Sequence, residues 1–108
     1  ADFSGRGFTR LTNQIKPDLA APGVNIMAPA ANGGYQSVTG TSFATPVASG
    51  AAALLMQWGI VNGYDPFLYG DKVKAYLRRG AKKLPGISEY PNPMVGYGAL
   101  CVRDSLPE

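Results

Sequence analysis

The run Gly40-Thr41-Ser42-Phe43-Ala44-Thr45-Pro46-Val47-Ala48-Ser49-Gly50, continuing through the apolar stretch Ala51 to Trp58, decides the reading of this chain. Just before it, Tyr35-Gln36-Ser37-Val38-Thr39 alternates and is rich in strand formers,. A strand therefore feeds through Gly40 into a helix expected from about Ser42 to Trp58. That helix is apolar all round, so it belongs in the centre of a larger domain. Ala48, Ser49, Gly50 and Ala51 let a neighbouring backbone come close. Pro46 falls in or just past the first turn, where a missing N–H costs little. Gly59 is expected to stop the helix.

Two readings of Ser42 follow from this placement. Ser and Thr are favoured caps of ordinary helices, so Thr41 or Ser42 could serve only as a cap. Alternatively Ser42 is a nucleophile, held rigidly at a strand-to-helix turn. Its backbone N–H is free in the first turn. The helix end there carries about half a positive charge, which suits a developing oxyanion. A serine hydroxyl needs a base to take its proton, and the chain contains no histidine.

The run Gly40 to Gly50 resembles the active-serine segment of the subtilisin-like serine proteases, the subtilases. Lys16-Pro17-Asp18-Leu19-Ala20-Ala21-Pro22-Gly23-Val24-Asn25-Ile26 resembles the segment that precedes it in that family. Phe3-Ser4-Gly5-Arg6-Gly7 fits the stretch before that, and Gly96-Tyr97-Gly98-Ala99-Leu100 the strand that closes the domain. Four matches in the right order cover nearly the whole chain. The resemblance implies an α/β fold, specifically the C-terminal portion of a subtilisin-like three-layer domain occupying residues 1–108. It implies a serine endopeptidase in which Ser42 attacks the scissile carbonyl. The base, its orienting Asp and the oxyanion Asn would lie in an upstream part of the same domain. Gly40, Thr41, Val38 and Thr39 would line the substrate cleft, with Phe3 nearby. Asp18 would be structural, and Phe43 would pack behind the oxyanion site where the family often has Met. Val47 stands where many members place a non-catalytic His.

The bounds agree. A chain of 108 residues with 45% apolar and 16% charged residues holds one small domain at most,. It begins at Ala1 rather than Met, as a processed or truncated product would. No secretory leader is visible, and no apolar run is expected to reach the ~20 residues of a membrane span. Cys101 is alone and is read as a buried, inert thiol,. The net charge is +3, and six of the ten basic residues lie between Lys72 and Lys83. They read as the solvated face of a second helix, from Gly70 or Asp71 to Arg79, with Gly80 after it. No nucleic-acid motif accompanies them.

The remaining elements are a strand end and turn over Ala1 to Gly7, a surface loop over Phe8 to Ile15, and a strand at Val24 to Met27. Met27 to Thr39 forms a hairpin around Asn32-Gly33-Gly34. Ala81 to Pro93 is loop, Met94 to Val102 a final strand, and Arg103 to Glu108 a tail or short helical turn.

The chain alone is expected to be inactive and to self-associate through its uncovered apolar surface. Its partners are a peptide or protein substrate and the missing part of its own domain, not nucleic acid or membrane. No cofactor is expected in this chain, and calcium binding by the parent is left open. A secreted or cell-envelope location fits the resemblance. Two other functions remain open: a catalytically dead relative that binds peptides or proteins, and a small basic nucleic-acid-binding module built on Lys72 to Lys83.

Overall fold

The computed structural model describes residues 1–106. Its elements run β1 Gly7–Phe8, β2 Ile15–Lys16, β3 Ile26–Pro29, β4 Tyr35–Val38, α1 Thr41–Met56, a π-helical turn Gln57–Val61, α2 Asp71–Arg79 and α3 Val102–Ser105. Two separate antiparallel hairpins precede the helices. In the second, Ile26 pairs with Val38 and Pro29 with Tyr35, and the Asn32-Gly33-Gly34 turn joins the strands. β3 starts two residues later than the sequence indicates, because Gly23 to Asn25 are drawn away to the start of α1.

Phe8 to Ile15 is not the simple loop expected. Phe8 pairs with Ile15 and Gly7 with Lys16. Side chains close this hairpin: Gln14 N–H donates to Thr9 Oγ1 at 2.8 Å, and the Thr9 and Thr12 hydroxyls bond each other. Polar side chains can stitch a turn in this way without any hydrophobic period.

α1 begins at Thr41, with Gly40 as its cap and Pro46 inside the helix. Gly59 does not stop it. The helix widens, and Asn62 N–H reaches the Gln57 carbonyl at 3.0 Å. Gly59 is buried in this wide turn, where a Cβ would lie 2.8 Å from the Asp65 carbonyl oxygen and from Leu68. Glycine is there for close packing rather than termination. The helical run Thr41–Val61 therefore reaches 21 residues, with mean hydropathy 1.3 in its most apolar window. Contrary to expectation, that is long and apolar enough to cross a membrane, because Ser, Thr and Gly dilute its hydropathy only slightly.

α2 lies where the sequence put it, with Asp71 in its first turn and Arg78 and Arg79 in its last,. Its buried Val73 and Leu77 meet Ala51 and Leu55 of α1, and Leu68 from the connecting loop. The expected final strand is reduced to isolated bridges: Gly96 pairs with Asn92, and Ala99 bridges Ala20 in parallel and Lys82 antiparallel. Ala99 exchanges both backbone bonds with Lys82, while Ala20 N–H donates to the Gly98 carbonyl and the Ala20 carbonyl accepts from Leu100 N–H, so these groups are satisfied without an extended ladder,. Cys101 is only half-buried, not fully inside. The short turn expected after it is α3, and Pro107 and Glu108 lie outside the described residues.

The core is small for the chain. The accessible surface is 7417 Å², against about 5,700 Å² for a folded monomer of this mass. The radius of gyration is 15.3 Å, against about 13 Å for a compact domain of this length. Leu54 of α1 is 54% exposed. With Ser42, Pro46, Ser49, Gly50 and Ala53 it leaves one face of the apolar helix uncovered.

Candidate active site

Ser42 is the second residue of α1 and is exposed. The helix has no side-chain cap, so neither the Thr41 nor the Ser42 hydroxyl is spent on capping. The Gly40 carbonyl instead accepts from Phe43 N–H at 3.0 Å and Ala44 N–H at 3.3 Å. This arrangement keeps the hydroxyl at the positive end of the helix.

A neighbouring loop fixes the turn. Gly40 N–H donates to the Gly23 carbonyl at 2.8 Å, and Asn25 N–H donates to Thr39 Oγ1 at 3.0 Å. Both glycines are required. Gly40 has φ +156°, and a Cβ on Gly23 would sit 2.8 Å from the Gly40 carbonyl oxygen and 3.1 Å from Ala44 Cβ. The Phe43 ring lies against Gly40, 3.5 Å from where a Cβ would stand. The Pro22–Asn25 loop is thus clamped to the turn that carries Ser42. Sequence reasoning did not assign this clamp, although Pro22-Gly23 and Asn25 were its signal.

Thr39, Gly40 and Thr41 line one small cavity of about 60 Å³ together with Phe3, Ser4, Val24 and Ala44. Phe3 therefore does come beside the turn, as expected. Val38 does not line that cavity; it is half-buried and paired with Ile26. No titratable side chain belongs to the lining.

Lys16, the lysine nearest the motif in sequence, is engaged elsewhere. Its Nζ donates to both Asp18 oxygens, at 3.0 and 3.2 Å. Arg78 Nη2 lies 2.6 Å from the same carboxylate and Lys74 Nζ lies 3.1 Å from it. Burial acts to raise the Asp18 pKa. Hydrogen bonds from Lys16, Arg78 and Lys74 outweigh it and hold the carboxyl well below the usual range. Asp18 is a structural tie between the β2 segment and α2. Among the described residues no three or more His, Cys, Asp or Glu side chains cluster as metal ligands would.

The basic cluster is the solvated surface expected, with Lys72, Lys74, Arg79, Lys82 and Lys83 exposed and Arg78 half-buried, and it carries surface ion pairs. Lys72 pairs with Asp65 at 2.8 Å, Lys74 and Arg78 with Asp18, and Lys82 with Asp104 at 3.4 Å. Arg79 and Lys83 lie over the Tyr76 and Tyr90 rings.

Residues 1–98 match the model of the subtilase family, peptidase S8. The chain belongs to the subtilase family. It is 36% identical to serine protease AprX of Bacillus subtilis strain 168 over 99% of its own length and 25% of the relative's. It is 48% identical to the minor extracellular protease Vpr of the same organism, over 98% of this chain and 13% of Vpr. The solved CspB protease of Clostridium perfringens superposes with a TM-score of 0.89 at 48% identity, over 97% of this subtilase chain and 22% of that protein. The chain thus spans a quarter or less of the length of these relatives. The α/β fold read from the sequence is that of this family of serine proteases, and the superposition includes the apolar α1.

Proposed function

We propose that this subtilase segment supplies the nucleophile of a serine endopeptidase whose other catalytic groups come from further residues of the same domain. One observation carries the reading: Ser42 stands exposed and uncapped in the first turn of α1, on a backbone clamped by Gly23. Its Oγ attacks the scissile carbonyl carbon while an imidazole from the rest of the domain takes the hydroxyl proton. The Ser42 N–H, at the positive helix end, faces the charge that develops on the carbonyl oxygen. The leaving amine takes the proton back, and water then releases the acyl group.

Gly40, Thr41 and Thr39 would line the cleft, with Phe3 beside them. Val38 would support them from the hairpin. The uncovered face of α1 would be closed by the rest of the domain, which also makes α1 a core helix rather than a membrane span. The chain alone, lacking histidine, would have negligible peptidase activity. It would self-associate through its excess exposed surface, which gel filtration would show as species larger than a monomer. By analogy with Vpr, an extracellular location is proposed for the parent protein.

The direct test is Ser42→Ala in the parent, assayed on a fluorogenic peptide. Loss of about 10⁴-fold or more in kcat supports the assignment. An unchanged rate would exclude Ser42 as the nucleophile.

A further inference from the structure

Lys16, Asp18, Lys74 and Arg78, with Gln14 and Tyr97, line a cavity of about 470 Å³ that shares no lining residue with the Ser42 turn. Three cations face one anion there, so the lining carries an excess of two positive charges. Asp18 has no capacity left: both of its oxygens already take contacts from the three cations. The cations do have capacity. Each lysine ammonium carries three N–H donors and the guanidinium five. Asp18 takes two from Lys16, while Lys74 and Lys16 remain 48% and 39% exposed. Arg78 Nε is buried without any acceptor.

Asp65 and Asp104 are already engaged: Asp65 is held by Lys72 and Tyr76, and Asp104 by Lys82. Two like charges held against one saturated carboxylate repel each other, and a bridging anion would remove that cost.

We propose that this cavity binds one small oxyanion, a phosphate or a carboxylate group, bridged between the Lys16 and Lys74 ammonium groups and backed by the Arg78 guanidinium. The bound anion joins the β1–β2 hairpin to α2 and so stabilises the fold. Phosphate chemistry would come from a free or ligand-borne phosphate, and carboxylate chemistry from a peptide terminus or small acid.

The test uses the full-length parent with inorganic phosphate and, separately, acetate, each titrated against sodium chloride at matched ionic strength. A saturable millimolar-range rise in Tm, with matching heat in isothermal titration of the wild type, is expected with at least one of them. Which anion responds identifies the source. Lys74→Met should weaken that response at least tenfold. Equal Tm in all three salts with no titration heat would overturn the proposal: the rest of the domain would then meet the charge itself. A response that Lys74→Met leaves unchanged would overturn it too, by placing the anion elsewhere. The wild-type titration stands even if the variant fails to fold.

Discussion

Gly23→Ala in the parent protein should damage catalysis by moving the turn that carries Ser42. The new Cβ would stand 2.8 Å from the Gly40 carbonyl oxygen. Unstrained contact needs about 3.4 Å or more, so this carbonyl must retreat by about 0.6 Å. It cannot do so alone, because it accepts from Phe43 and Ala44 N–H while Gly40 N–H is bonded to Gly23 itself. The first turn of α1 moves with it, and so does Ser42. Overpacking of this kind costs about 1–3 kcal/mol of stability. A displacement approaching 1 Å in a catalytic group costs up to about 100-fold in rate, so a loss of about 10- to 100-fold in kcat is expected. Hydrolysis of a fluorogenic peptide and urea denaturation read the two effects. Gly34→Ala, whose Cβ would meet only the Asn32 side chain at 3.4 Å, is the control and should leave both unchanged. A Gly23→Ala enzyme with native kcat would refute the claim that this clamp positions the nucleophile.

Other consequences are as direct. The folded-state pKa of Asp18 lies below its ordinary value. Its contribution is therefore present above the unfolded pKa and is lost as pH falls through the acid range. Asp18→Asn should cost about 2 kcal/mol at pH 7 and flatten the fall in stability below about pH 5; an unchanged acid slope in denaturant titrations would contradict this. Gly50→Leu adds a side chain where nothing lies within 4 Å in this chain. If the rest of the domain covers that face, it should destabilise the parent by about 1–3 kcal/mol, and an unchanged Tm would show the face to be open.

The elements legible in the sequence are those whose local chemistry agrees with their packing. The Asn32-Gly33-Gly34 turn set the second hairpin, and Asp71, Arg78 and Arg79 marked both ends of α2. The serine turn was legible because a strand pattern runs through a glycine into an apolar helix. What was missed depends on contacts that leave no hydrophobic period or turn signal, some local and some distant. β1 and β2 are held by Thr9 and Thr12 hydroxyls rather than a hydrophobic period. The wide turn at Gln57–Val61 exists because Gly59 lets Leu68 and Asp65 approach. The strand expected at Met94 to Val102 had only Ala20 and Lys82 to pair with at Ala99. At the site, Thr39, Gly40 and Thr41 share a small cavity with Phe3, and Val38 pairs with Ile26. The Gly23 clamp was invisible because nothing local says which backbone a glycine lets approach.

The most direct test of the central claim is labelling by a fluorophosphonate, which reacts with activated serines, followed by peptide mass mapping of the parent and of this chain side by side. An adduct on Ser42 in the parent and none in the isolated chain is the predicted result, since the base must come from elsewhere in the domain. A folded parent without an adduct on Ser42 would contradict the account and leave its cleft a binding surface.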